Sequence, residues 1–359
     1  MASTGFTLKA MVAAAALVLV LCPAVVQAQQ AQWEAQVVRA RAALQKGDYA
    51  KAEEELAGAL KTAEGIGPQD DRVLATLASQ LIVFVQQKKF AAAEAPAKRV
   101  LEIREKARGP DHPIVAGALN DLASVYKDGG KLAEAEPLYK RGLAIIEAKK
   151  GKDDPEAALI LGNLGELYRE QKNFPEAEKA GKQALAIRQN ILGPEHILAT
   201  GAMTNLAQTY QAEGKYAEAE ILLKKALEIR KRSERARPPA IVQSTVNLAE
   251  LYKAQGKLDQ AEPLYKDALA MIEKAAGADD PAAVDVLEKY ADLLKKMKRD
   301  DEAAKVAERA RKIKETQAAP PPAKTEAPPP KAEPAPAKKE APPEKKAPAP
   351  AKTEPAPAK

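Results

Sequence analysis

The residues best suited to recognition chemistry recur at one interval. Asn163, Asn205 and Asn247 stand 42 residues apart, with Asp121 ahead of them in the same series and Lys289 behind. An amide side chain both donates and accepts. A column of amides can therefore hold the backbone of an extended peptide whatever its sequence, while each amide could equally bond a neighbouring turn or face water. Asn120 lies beside the head of the column. Six residues beyond each member come Lys127, Arg169, Gln211 and Lys253. Their cations suit an acidic or carboxylate-bearing partner, and they read also as a solvated helix face.

Catalytic chemistry is harder to find. His112 and His196 occupy the same point of the period, which assigns them a structural place in a loop rather than metal or general-base duty. Glu136, Glu178, Glu220 and Glu262 recur in the same way and read as solvated helix residues. No His-x-x-x-His, Gly-x-x-x-x-Gly-Lys or Gly-x-Ser-x-Gly element occurs. Trp33, the only tryptophan, reads as packing, and Cys22 is the only cysteine. The expectation is a chain that is not an enzyme and needs no cofactor or metal.

The elements that carry these residues follow from the period itself. Pro113, Pro155, Ile197, Pro239 and Pro281 are 42 apart. So are Gly67, Gly109, Gly151 and Gly193, and the series returns at Gly277 after Arg235 interrupts it. About seven copies fill residues 29–316, near 30–68, 69–110, 111–152, 153–194, 195–236, 237–278 and 279–316. A period of this size marks stacked supersecondary units that bury each other's apolar faces. In the copy from Asp154, Ile160, Leu161, Leu164, Leu167 and Tyr168 form one helical stripe. Asp154 caps that helix and Pro155 suits its first turn. Lys172-Asn173 turns the chain, Phe174-Pro175 opens a second helix, and Gly193-Pro194 stops it with a left-handed glycine cap. Small residues recur at fixed points, as in Ala135, Ala177, Ala219, Ala261 and Ala303, beside the large Tyr126, Tyr168, Tyr210 and Tyr252. That alternation lets helices interdigitate closely. The fold class is all-α.

These motifs resemble the tetratricopeptide repeat in its 42-residue, kinesin-light-chain form. The Leu-(Gly/Ala)-x-x-Tyr element stands as Leu122-Ala123…Tyr126, Leu164-Gly165…Tyr168, Leu206-Ala207…Tyr210 and Leu248-Ala249…Tyr252. The turn and second-helix start stand as Gly130-Lys131-Leu132-Ala133-Glu134-Ala135-Glu136 and again from Gly214 and Gly256. The resemblance implies a right-handed α-solenoid of about seven antiparallel helix pairs whose first helices line a concave face. It also implies that the residue before the motif leucine faces that groove. The expected partner-binding set is then Asn120, Asp121, Asn163, Asn205, Asn247, Lys127, Arg169 and Lys253. The divergent end copies read as caps, and the copy at 69–110 departs from the pattern with Leu81 and Phe84.

Both ends of the 359-residue chain differ from its middle. Lys9, the apolar run Ala10–Leu21 and the small residues around Val26-Gln27-Ala28 form a secretory signal over residues 1–28, with a cut after Ala28. Left uncut, the segment is nearly long enough to anchor in a membrane. Residues 317–359 hold about half of the 27 prolines, with Ala, Lys and Glu, and read as a disordered, extended tail. The net charge of +6 on a chain that is 30% charged is nearly balanced, so no nucleic-acid partner is expected. The function these features support is an exported, periplasmic or secreted scaffold that binds a peptide or protein. The alternative is a structural envelope component held to an anionic polymer through its cationic tail.

Overall fold

The computed structural model describes residues 23–233 and 237–318. The expected signal run through Cys22, Arg235 and the Pro-rich tail beyond Ala318 lie outside the described residues. Within them are fourteen helices and no strand. They form seven pairs, α1 (Pro23–Gln45) with α2 (Tyr49–Ile66), α3 (Asp71–Gln86) with α4 (Phe90–Arg108), and α5 (Pro113–Asp128) with α6 (Leu132–Lys150). Next come α7 (Pro155–Glu170) with α8 (Phe174–Leu192), α9 (Ala199–Glu213) with α10 (Tyr216–Arg232), α11 (Pro238–Ala254) with α12 (Leu258–Ala276), and α13 (Ala283–Lys296) with α14 (Asp300–Ala318). Pro23 opens α1, as proline can in a first turn, so a cut after Ala28 would fall within that helix. None of the described helices is long and apolar enough to cross a membrane.

Helix starts are fixed by side chains reaching free amides. Asp154 accepts from the Glu156 amide at 2.8 Å, and His112 and His196 accept through Nδ1 from the amides of Ile114 and Leu198 at 3.2 Å. The structural place expected of the histidines is thus a capping one. Helix ends differ in detail from expectation. Gly193 has φ 92° and ψ 157°, a positive φ with an extended ψ, and not the left-handed helical cap. The chain therefore leaves α8 straight into the next loop. A residue with a Cβ is strained there.

Packing follows the small-residue columns. Ala135, Ala177, Ala219, Ala261 and Ala303 are all 0% exposed. A Cβ added at Gly142 would sit 3.3 Å from the Ala116 carbonyl, so the two helices pack at the close limit that a methyl allows. Helix α7 also approaches both α5 and α9 directly, while no two second helices pack comparably. From α5 to α9 the first helices are therefore on the shorter, inner side of the stack.

Candidate partner-binding surface

Four first helices carry a stripe of exposed and half-buried residues at helical spacing on this inner side. It runs Ile114, Gly117, Asp121, Ser124 on α5, then Glu156, Leu159, Asn163, Glu166 on α7. On α9 it is Leu198, Gly201, Asn205, Gln208, and on α11 Ala240, Gln243, Asn247, Glu250. The asparagine column lies in the middle of these stripes. Asp121 is reachable by solvent yet crowded by surrounding protein, and the lost hydration raises its carboxyl pKa despite the nearby Arg104.

The polar side chains of the face bond one another from repeat to repeat. Asn163 donates through Nδ2 to Asn120 Oδ1 at 2.7 Å, and Asn205 donates to Glu166 at 2.7 Å. Asn247 accepts from Gln243, one turn earlier on its own helix. The three asparagines thus share a face and are held in position by different partners. A cleft of about 440 Å³ brings Asn247 together with Arg169, Gln208, Gln211 and Glu250.

The cations of the expected set are already engaged. Lys127 lies 3.0 Å from Glu166 and 3.3 Å from Asp128, with 11% of its side chain exposed. Burial opposes its charge, but Glu166 outweighs that and the pKa is raised. Lys253 lies 2.8 Å from Glu250 and 3.1 Å from Asp292 and is as enclosed. Arg169 donates to Gln208 at 2.5 Å. Lys127, Arg169 and Lys253 therefore tie α5 to α7, α7 to α9 and α11 to α13. Their acceptors Glu166, Gln208 and Asp292 were not singled out from sequence. Their place three residues beyond the asparagine column was the signal available.

The periodic glutamates also differ from the solvated residues expected. Glu178 accepts from Lys182 at 2.6 Å and, across the repeat junction, from Lys215 at 2.7 Å and the Tyr210 hydroxyl at 3.4 Å. Glu262 does the same with Lys266, Arg299 and Tyr290, and Glu220 with Lys224, Lys257 and Tyr252. Glu136 takes Lys140, Gln171 and Tyr168. Hydrogen bonds from Lys182 and then Lys215 hold the Glu178 carboxyl down at about 2, and those from Lys266 and Arg299 hold Glu262 there too. The motif tyrosine is thus one jaw of an inter-repeat clamp.

The tetratricopeptide-repeat family model matches residues 34–106, 86–148, 156–232 and 240–316, and a second model of that repeat matches 121–190. The chain belongs to the tetratricopeptide repeat family. Among solved structures, the repeat stack is similar to BtubC (BKLC) from P. vanneervenii, at 21% identity and TM-score 0.55, over 64% of this chain and 92% of that one. It is similar to a variant of a putative kinesin light chain of Podosopora anserina with nearly identical repeats, at 24% identity and TM-score 0.50, over 58% and 97%. A Rap protein complexed with Competence and Sporulation Factor gives 18% identity and TM-score 0.54, over 80% and 76%. At these identities the likeness is one of fold. No curated protein matches the sequence. Tetratricopeptide repeats typically serve as non-catalytic scaffolds for protein–protein interaction, and this stack has that architecture. Among the described residues no three His, Cys, Asp or Glu side chains gather as a metal would require.

Proposed function

We propose that this tetratricopeptide-repeat chain is a non-enzymatic, exported scaffold that grips an extended peptide or protein segment along its inner face. The observation that carries the reading is the unbroken stripe on α5, α7, α9 and α11, where Ile114, Leu159 and Leu198 stand 43%, 47% and 55% exposed beside the asparagine column. Aliphatic side chains left in water beside fixed amides supply both parts of peptide recognition, burial for side chains and hydrogen bonds for backbone. The Rap protein's complex supports the reading by showing a similarly folded stack with a bound factor. Export rests on the signal composition of residues 1–28. Affinity capture from the native envelope tests the function. Changing Asn163, Asn205 and Asn247 together to Ala abolishes capture and leaves helical content intact. Capture that survives the triple change removes the asparagine column from the binding site. Deleting residues 317–359 leaves capture unchanged; loss of envelope attachment instead favours the structural alternative.

A further inference from the structure

Three arginines on second helices reach the inner face with no carboxylate at ion-pair distance among the described residues, although Asp121 lies near enough to Arg104 to feel its charge. Arg104 donates through Nη1 to the Ile114 carbonyl at 3.4 Å, and Arg188 to the Leu198 carbonyl at 3.1 Å. Arg230 donates to the Ala240 carbonyl at 3.2 Å, to Thr200 Oγ1 at 2.9 Å and to Ser244 Oγ. They occupy one column of the period, 84 and 42 residues apart. Arg99, Arg141 and Arg309, also on second helices, are instead paired, with Glu64, Glu105 and Glu273.

The unpaired three are also under-used. A guanidinium has five donors in a rigid fork, and Arg188 commits one of them within the chain. Arg104 keeps its Nε buried with no partner. Burial lowers the pKa of Arg230, with no anion to oppose it. Their heads sit against the exposed stripe, Arg104 Nη1 lying 3.7 Å from where a Cβ at Gly117 would stand. Beside them Gly162 and Gly201 have no atom within 4 Å of a would-be Cβ, so a ligand backbone can approach the helices.

Resting on the inner-face reading above, we propose that Arg104, Arg188 and Arg230 read charge in the partner, which is an extended peptide segment carrying spaced carboxylates between aliphatic residues. Carboxylates match in sign the donors that all three guanidinia leave uncommitted, and in fork geometry those of Arg188, which commits Nη1 alone. The aliphatic residues match Ile114, Leu159 and Leu198. A nucleic-acid strand fits worse, because Asp121, Glu166 and Glu250 on the same face oppose a continuous row of phosphates. An extended chain advances about 3.3 Å per residue, so a carboxylate at every third residue presents an anion about every 10 Å along the arginine column.

The test uses fluorescence anisotropy with the full chain and a labelled 12-residue peptide of repeating Glu-Leu-Ala, with a Gln-Leu-Ala peptide and a single-stranded RNA as comparators. The Glu peptide binds on the order of tenfold tighter than the Gln peptide, and Arg188→Gln with Arg230→Gln removes that preference, while Lys312→Gln, at an exposed lysine of α14, leaves it. Arg188→Gln alone, which gives up one internal bond, keeps the readout if the double variant fails to fold. Equal binding of the two peptides, indifference to the arginine changes, or stronger binding of RNA overturns the proposal. Binding of the Gln peptide that the triple asparagine change abolishes would overturn the charge reading while leaving the inner-face reading standing. If neither peptide binds the native chain at millimolar concentration, this partner class is wrong, and envelope capture then decides the broader reading by itself.

Discussion

Glu178 joins two repeats through one carboxylate, receiving Lys182 from its own helix and Lys215 and Tyr210 from the next repeat. Its carboxyl and that of Glu262 are held near 2 against an ordinary value of about 4.5. A depressed carboxylate stabilises the fold fully above its unfolded pKa and loses that contribution as pH falls through the folded one. Thermal stability of the stack should accordingly decline from about pH 4.5 toward pH 2, and in Glu178→Gln part of that decline should be missing. At pH 7 the same variant should melt lower, by about 1–2 kcal/mol of stability, since it keeps a hydrogen-bonding side chain but loses the charge. Melting curves of the two proteins from pH 7 to pH 2 check both statements, and parallel curves would show that Glu178 is not part of a clamp. Periodicity put Glu178 and Tyr210 in the sequence as two separate columns. A solvated column and a clamped one have the same period, and the 32 residues between the partners hid their contact. The last junction shows the rule most clearly. Tyr290 sits one turn earlier than the tyrosine series would place it, yet its hydroxyl still reaches Glu262 at 3.0 Å. The contact is kept although the motif position is not.

At the scale of the element, two glycines have opposite reasons to be there. Gly193 ends α8 at φ 92°, where alanine is strained, so Gly193→Ala should cost about 1–2 kcal/mol. Gly201 lies inside α9 with open space around a would-be Cβ, so Gly201→Ala should add about 0.5–1 kcal/mol of stability. A methyl at that point of the inner stripe should also weaken partner capture. Chemical denaturation read beside capture separates the two effects, and a Gly201→Ala protein that is both more stable and equally competent would mean the inner backbone is never approached. The helix pairs, the Asp154 N-cap and the small-residue columns were legible in the sequence because each depends on contacts within about one period, whereas the extended ψ at Gly193 was not. The state of the inner face was not. Whether Lys127 faces solvent or Glu166 depends on how far α5 and α7 are rotated toward each other, and no spacing in the chain encodes that rotation.

Across the whole stack, the core is not equally continuous. From Leu185 to Ile313 the buried side chains form one cluster, and from Val115 to Ile187 another. The helices α1–α4 bring their buried residues instead to three smaller patches, around Leu56, around Leu77 and around Ala97. Local sequence supplies the cause. Leu81 replaces the small residue that lets helices close up, and Phe84 replaces the tyrosine that clamps, so Glu53 reaches Gln87 and Lys89 without a hydroxyl. Stability in a linear stack is close to a sum of repeat and junction terms, so weak junctions open first. Amides of α1–α4 should therefore exchange with solvent well before those of α9–α13, and denaturant should unfold the chain in two steps rather than one. Restoring the motif with Leu81→Ala and Phe84→Tyr should merge the two steps if a clamp on Glu53 forms. Uniform exchange along the native stack would instead mean that the patches, though separate, unfold as one with the C-terminal core.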